Sequence, residues 1–186
     1  LILACQNGHS EVATLLLDRG AKVDLADKDG RNALMFACKF GLCEVVELLV
    51  DRGKAQVRFL SAGAFSIRMG QYEEGIRLTE LGLTRYQPSQ GDRSVAQSNL
   101  CAAYAARGEP FVAIDYCTES IRLEERNWRA YNNRAYSYYL LGKLSEATVD
   151  LDMAAQINSD ARQVLQLRGM INERGLRPRV IMEDHQ

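Results

Sequence analysis

Along most of the chain the apolar residues fall three and four positions apart, the spacing of a single helix face, and glycine interrupts the runs at short intervals. In "LILACQNGHSEVATLLLDRG" (1–20), Leu1, Ala4 and Cys5 share one short face. Gly8 breaks the run, and Val12, Leu15 and Leu16 resume it until Gly20. The pattern predicts two short helices with a turn between them. The second is ended by glycine, which adopts the left-handed cap conformation at little cost. After Gly20, "AKVDLADKDGRNAL" alternates in character and contains Asp-Gly, which predicts an extended hairpin. Only three prolines occur in 186 residues, which favours long uninterrupted helices elsewhere.

The pattern repeats. At an offset of 33, Leu1 falls on Leu34, Ala4 on Ala37, Cys5 on Cys38, Gly8 on Gly41, Val12 on Val45 and Leu15 on Leu48. Asp18-Arg19-Gly20 likewise falls on Asp51-Arg52-Gly53. "DKDGRNALMFACKFGLCEVVELLVDRG" (27–53) resembles the ankyrin repeat, through Asp27, Gly30, Leu34, Ala37, Gly41, Val45, Leu49 and Gly53. The family's Thr-Pro-Leu-His is here Asn32-Ala33-Leu34-Met35, which removes hydrogen bonds that tie neighbouring turns together. The first copy begins at its first helix. About one and a half such units cannot fold alone, because each buries its apolar face on a neighbour. Something must cover Val46, Leu49 and Val50.

A second period follows. Residues 94–125 align with 128–159 at an offset of 34, pairing Cys101 with Ala135, Tyr104 with Tyr138, Gly108 with Gly142, Ala113 with Ala147, Cys117 with Leu151 and Ser120 with Ala154. An earlier copy spans 56–87, with Gly63, Ser66, Gly70, Tyr72, Gly75 and Gly82 in register and the surplus length in "QPSQGD" (87–92). This helix–turn–helix unit resembles the tetratricopeptide repeat (TPR). In that reading, small residues let paired helices approach closely, while Tyr104, Tyr138 and Phe111 fill the gaps between repeats. Residues 160–175 read as one more amphipathic helix, with Val164, Leu165, Leu167 and Met170 available to cap the stack.

The fold expected is therefore all-α. It is a helical-repeat solenoid with ankyrin helix pairs (1–53) stacked on a three-repeat TPR superhelix (54–159), a capping helix (160–175) and a tail (176–186). After Gly20 the ankyrin hairpin follows; after Gly53 it is missing and the first TPR helix starts almost at once. The last ankyrin helix is expected to pack on Phe59, Ala62, Gly63 and Ser66. A break or kink is expected at Gly53, since glycine inside a helix costs about 1 kcal/mol against alanine. A junction this abrupt fits a natural ankyrin–TPR scaffold or an engineered fusion serving as a rigid module without a selected ligand. The chain opens on "LILAC" rather than Met, within a hydrophobic pattern, and reads as a fragment.

Composition adds little chemistry. A formal net charge of -1 gives no electrostatic reason to expect nucleic acid or an anionic membrane. No apolar run approaches the roughly 18 residues that span a bilayer. Five cysteines, an odd number without framework spacing, point to a reducing compartment, hence the cytoplasm. Catalytic signals are nearly absent. His9 occupies the Gly-His position of an ankyrin turn and His185 lies in the tail, while Cys5 and Cys38 read as equivalent small core residues. Cys5, His9, Cys38 and Cys43 lack the paired spacing of zinc modules. "DKDG" lacks the ligand positions of a calcium loop, and "GKLS" (142–145) lacks the strand context and upstream glycine of a phosphate loop. No enzyme, cofactor or metal is expected.

Binding is the remaining reading, with a protein or peptide as the partner. The resemblance implies that the concave TPR groove is lined by fixed positions of each first helix. Here these are Val57, Leu60, Ala64, Ile67 and Arg68; then Val95, Ser98, Ala102, Ala105 and Ala106; then Arg129, Asn132, Tyr136, Tyr139 and Leu140. The groove would run from apolar, through small, to polar and aromatic. Chaperone-binding TPRs hold a C-terminal carboxylate with Lys and Asn in the first repeat, Asn in the second, and Lys and Arg in the third. This chain has Leu60 and Ala64, then Asn99, then Arg129 and Asn133. Without the first-repeat pair the carboxylate loses its main charge-assisted contacts, which argues against chaperone-tail binding.

Overall fold

The apolar faces pair up as the periods require. In the computed structural model, whose described residues are 1–52, 59–85 and 87–175, eleven helices are placed. They pack as α1 (Ile2–Gln6) with α2 (Ser10–Asp18), α3 (Ala33–Lys39) with α4 (Cys43–Arg52), and α5 (Phe59–Arg68) with α6 (Tyr72–Arg85). Next come α7 (Gln90–Ala106) with α8 (Pro110–Leu123) and α9 (Trp128–Leu140) with α10 (Leu144–Ile157), and α11 (Arg162–Gly175) closes the series. Gly53 and the tail 176–186, on which a break and a loose end were expected, lie outside the described residues.

First helices stack on first helices. α1 lies on α3, α3 on α5, α5 on α7, α7 on α9 and α9 on α11, so one row runs through both repeat types. At the junction α3 lies directly on α5, and α4 joins the same apolar cluster. Val46, Leu49 and Val50 of α4 join Phe59, Ala62 and Leu78 in a single apolar cluster that reaches back to Ala4 and Cys5. At roughly 25 cal/mol per Å² of apolar surface, that shared burial is what holds the front pairs to the array. Polar contacts fix the register. Gln71 Nε2 donates to Lys39 O at 3.0 Å, and Arg77 bridges Glu74 (2.9 Å) and Glu47 (3.2 Å).

Local chemistry explains the elements. The expected hairpin reduces to one antiparallel bridge, Ala26 with Asn32. Asp27 organises its tip, Oδ1 accepting from the backbone N–H of Asp29 (3.0 Å) and Arg31 (2.9 Å) while Arg31 Nε donates to Oδ2 (2.8 Å). Asn32, standing where the family has Thr, caps α3 by accepting from Met35 N at 2.9 Å. One lost hydrogen bond is thus replaced by another. The α3–α4 turn needs Gly41, whose φ of +64° lets Leu42 N reach Ala37 O at 2.9 Å. In the α5–α6 pair a Cβ on Gly63 would collide with Thr79 Oγ1, so these helices touch backbone to backbone.

Each later pair is fastened differently. Between α7 and α8, Ser94 Oγ donates to Ser120 O (3.0 Å) and Ser120 Oγ to Ser94 O (2.8 Å). Asn127 Nδ2 donates to both hydroxyls at 3.1 Å. Cys101 and Cys117, both fully buried, join these helices by a disulfide with Cα atoms 5.3 Å apart. Between α9 and α10, Arg134 and Asp150 form a two-pronged ion pair at 2.7 and 2.8 Å, their side chains only 18% and 5% exposed. Two packing expectations fail. Phe111 is 69% exposed on the outer face, and Leu165 of α11 is 59% exposed. Val164 and Leu167 cover α9 and α10 as expected, with Ile171 beside them.

Candidate groove on the first-helix row

The groove positions separate into three settings. On α5, Leu60 and Ile67 rest against α6 where Gly82 and Gly75 leave room, and Ala64 is half-buried. Arg68 is exposed and lies over the Phe65 ring at 6.0 Å. On α7, Ser98 is buried and Asn99 half-buried. On α9, Asn133 Nδ2 donates to Ser98 O (3.2 Å) and Ser98 Oγ (3.3 Å), tying the second repeat to the third. Tyr136 and Tyr139 stack with centroids 6.4 Å apart. Arg129 is exposed and covers the Trp128 ring at 4.6 Å.

The structure gathers Asn132, Asn133 and Tyr136 around one cavity of about 310 Å³, walled also by Ala102 and Ala105 of α7 and by Gln163, Gln166, Leu167 and Met170 of α11. Leu60, Ala64, Ile67, Arg68, Ser98, Asn99, Arg129 and Tyr139 do not line it. The α11 residues were not read from the sequence, yet their signal was there. Gln163, Gln166, Leu167 and Met170 lie one 34-residue period beyond Arg129, Asn132, Asn133 and Tyr136. The capping helix is a fourth first helix, in register with the others.

A larger cavity of about 490 Å³ lies at the junction, lined by Cys38, Val46, Glu47, Gln71, Glu74 and Arg77 among others. Its central charges are engaged in holding α4 to α6, as Arg77 spans Glu74 and Glu47. Burial, with Glu74 alongside, pushes the Cys38 thiol up to about 12, so it stays protonated and unreactive at neutral pH. Burial raises the Cys5 thiol too, and both belong to the core as their alignment implied. Among the described residues no group of three His, Cys, Asp or Glu is placed to hold a metal ion.

A family model of ankyrin repeats in three copies matches residues 1–59. Over that stretch the chain is similar to ankyrin repeats. Solved structures share the fold of the helices behind them. The second TPR domain of human RPAP3, in complex with HSP70 peptide SGPTIEEVD, is 22% identical with a TM-score of 0.54, over 62% of this chain and 93% of that one. The first TPR of Spaghetti (RPAP3), bound to HSP90 peptide SRMEEVD, is 21% identical with a TM-score of 0.55, over 62% and 89%. The Hsp90 co-chaperone Cns1 from Saccharomyces cerevisiae is 18% identical with a TM-score of 0.58, over 63% and 38%. What they share with this chain is the tetratricopeptide fold. No curated protein sequence matches.

Proposed function

We propose that this chain is a non-catalytic scaffold that seats an extended or helical segment of a partner protein on the row of first helices. The observation that supports this is the cavity between α7, α9 and α11, where three successive helices offer side chains to one space. The RPAP3 domains hold peptides in their solved structures, which supports a peptide as the occupant here. Proteins are favoured over membranes as partners. Among the described residues no helix is long and apolar enough to cross one, and the net charge of -1 attracts no anionic surface.

Those two peptides end in Asp, and a carboxylate needs cationic or amide donors along the groove. At the first-repeat positions this chain has Leu60 and Ala64, so fluorescence anisotropy with labelled SRMEEVD is expected to give no saturable binding at micromolar concentration. The groove itself is tested with peptides selected on the wild-type chain from a random 12-residue display library. Their affinity is expected to fall by at least about tenfold, some 1.4 kcal/mol, when Arg129, Tyr136 and Tyr139 are all changed to Ala. Failure to select any peptide, or full affinity in the triple variant, would rule the groove out.

A further inference from the structure

Among the described residues, every first helix but α11 packs against the second helix that follows it. α11 keeps the corresponding face bare. Gly63, Cys101 and Ala135 share one register position on α5, α7 and α9, and all three are buried under the helix that follows. Gly169 stands at that position on α11, is exposed, and a Cβ placed on it would meet nothing within 4 Å. Beside it, a guanidinium has made half of its contacts. Arg134 Nη1 reaches back to Thr118 Oγ1 of α8 at 3.1 Å, while its other nitrogens reach across to Asp150 of α10 at 2.7 and 2.8 Å. One period later Arg168 reaches back to Asp152 of α10 at 2.6 Å, in the place of Thr118. The residue in the place of Asp150 is Asp184.

We propose that residues 178–186, "PRVIMEDHQ", dock on this face as the opening turns of a second helix, giving α11 a partner and the array a fourth TPR pair. Three features of the segment support it as the occupant. Pro178 and Val180 fall two periods after Pro110 and Val112, and Pro110 opens α8, where a missing N–H costs no helical bond. Asp184 brings a carboxylate to Arg168 and completes the two-sided contact that Arg134 has. His185 falls one period after Leu151 and two after Cys117, so its bulk lies over the space that Gly169 leaves. Leu165, further from the connection, is beyond the reach of this segment and keeps its 59% exposure. Leu176 stands where Gly142 turns with a φ of +74°, a conformation costly to other residues, so this pair opens more readily than α9–α10. The docked segment lies on the side of α11 away from Gln163, Gln166, Leu167 and Met170, and it steadies the helix that walls the groove cavity.

The test is a cross-link in the full chain. Gly169 and His185 are the period equivalents of Cys101 and Cys117, whose Cα atoms lie 5.3 Å apart. With Gly169→Cys and His185→Cys together, a disulfide is expected to form in dilute protein in a glutathione redox buffer, identified by mass spectrometry of unreduced peptides. Gly169→Cys with Gln186→Cys is the control, since residue 186 has the same tether and its equivalent Thr118 points to solvent on α8. The first link is expected to form at least about tenfold faster than the second, and Asp184→Ala is expected to slow it severalfold. Gly169→Cys places its side chain in open space, so folding is preserved. Equal rates for the two pairs, or no link in either, would overturn the docking. Links between two chains rather than within one would give the face to a second copy instead. A rate unmoved by Asp184→Ala would remove Asp184 as the partner of Arg168.

Discussion

The second and third TPR helix pairs occupy the same geometry with different chemistry. Position by position, 34 residues apart, Cys101 and Cys117 of one become Ala135 and Leu151 of the other, all four of them buried. Ser94, Ser120 and Asn127, a closed hydrogen-bonded set, become Trp128, Ala154 and Ala161. Leu100 and Tyr116 become Arg134 and Asp150. The helix crossing is therefore set by residue size at a fixed period, and the fastening between helices is free to be covalent, polar or ionic. Fold and stabilising chemistry are separable in this chain.

The largest break in that comparison is expected at the ion pair. Asp150→Ala leaves the Arg134 guanidinium desolvated and unpaired, and should lower stability by about 3–5 kcal/mol in urea denaturation. Changing both partners to the residues of the second pair, Arg134→Leu with Asp150→Tyr, should recover part of the loss, because no unpaired charge is left between the helices. If the double variant is no more stable than the single one, the two pairs are not interchangeable.

A smaller effect belongs to the cross-link. Cys101→Ala with Cys117→Leu imports the third pair's residues and removes a constraint across 16 residues. Loop closure of that length contributes about 3 kcal/mol, part of which the new Leu contacts offset. Dithiothreitol should lower the melting temperature of the wild type and leave that of the variant unchanged.

Within the polar set, Ser120→Ala strips a donor from Ser94 O and an acceptor from the Asn127 amide, for a loss of about 1–3 kcal/mol. Smallest of all is Phe111→Ser. The ring lies in solvent, so the melting curve should move by no more than the equivalent of about 0.5 kcal/mol.

The sequence carried the repeat periods, the helix pairs and the row of first helices in outline, because size and glycine placement recur at fixed spacing. It did not reveal the Cys101–Cys117 bond or the Arg134–Asp150 pair. Each joins residues 16 apart that meet only once two helices have folded against each other. Phe111 misled because a large apolar residue on a helix that is buried along one side only reads as core from either side. The groove was legible in part. Asn132, Asn133 and Tyr136 were read from the repeat register, but the wall built by α11 was missed because the period was not carried past residue 159. The hairpin was over-read, since Asp27 side-chain bonds, rather than a ladder, hold its tip.

The placement of the Cys101–Cys117 staple has a consequence for how the molecule comes apart. In a stack where each unit touches only its neighbours, opening starts at the ends and works inward. The stapled unit, α7 with α8, has partners on both sides and a bond that survives local melting. Amide protons there should exchange last, and a chain unravelled from either terminus would keep a seed from which the whole array can rewind.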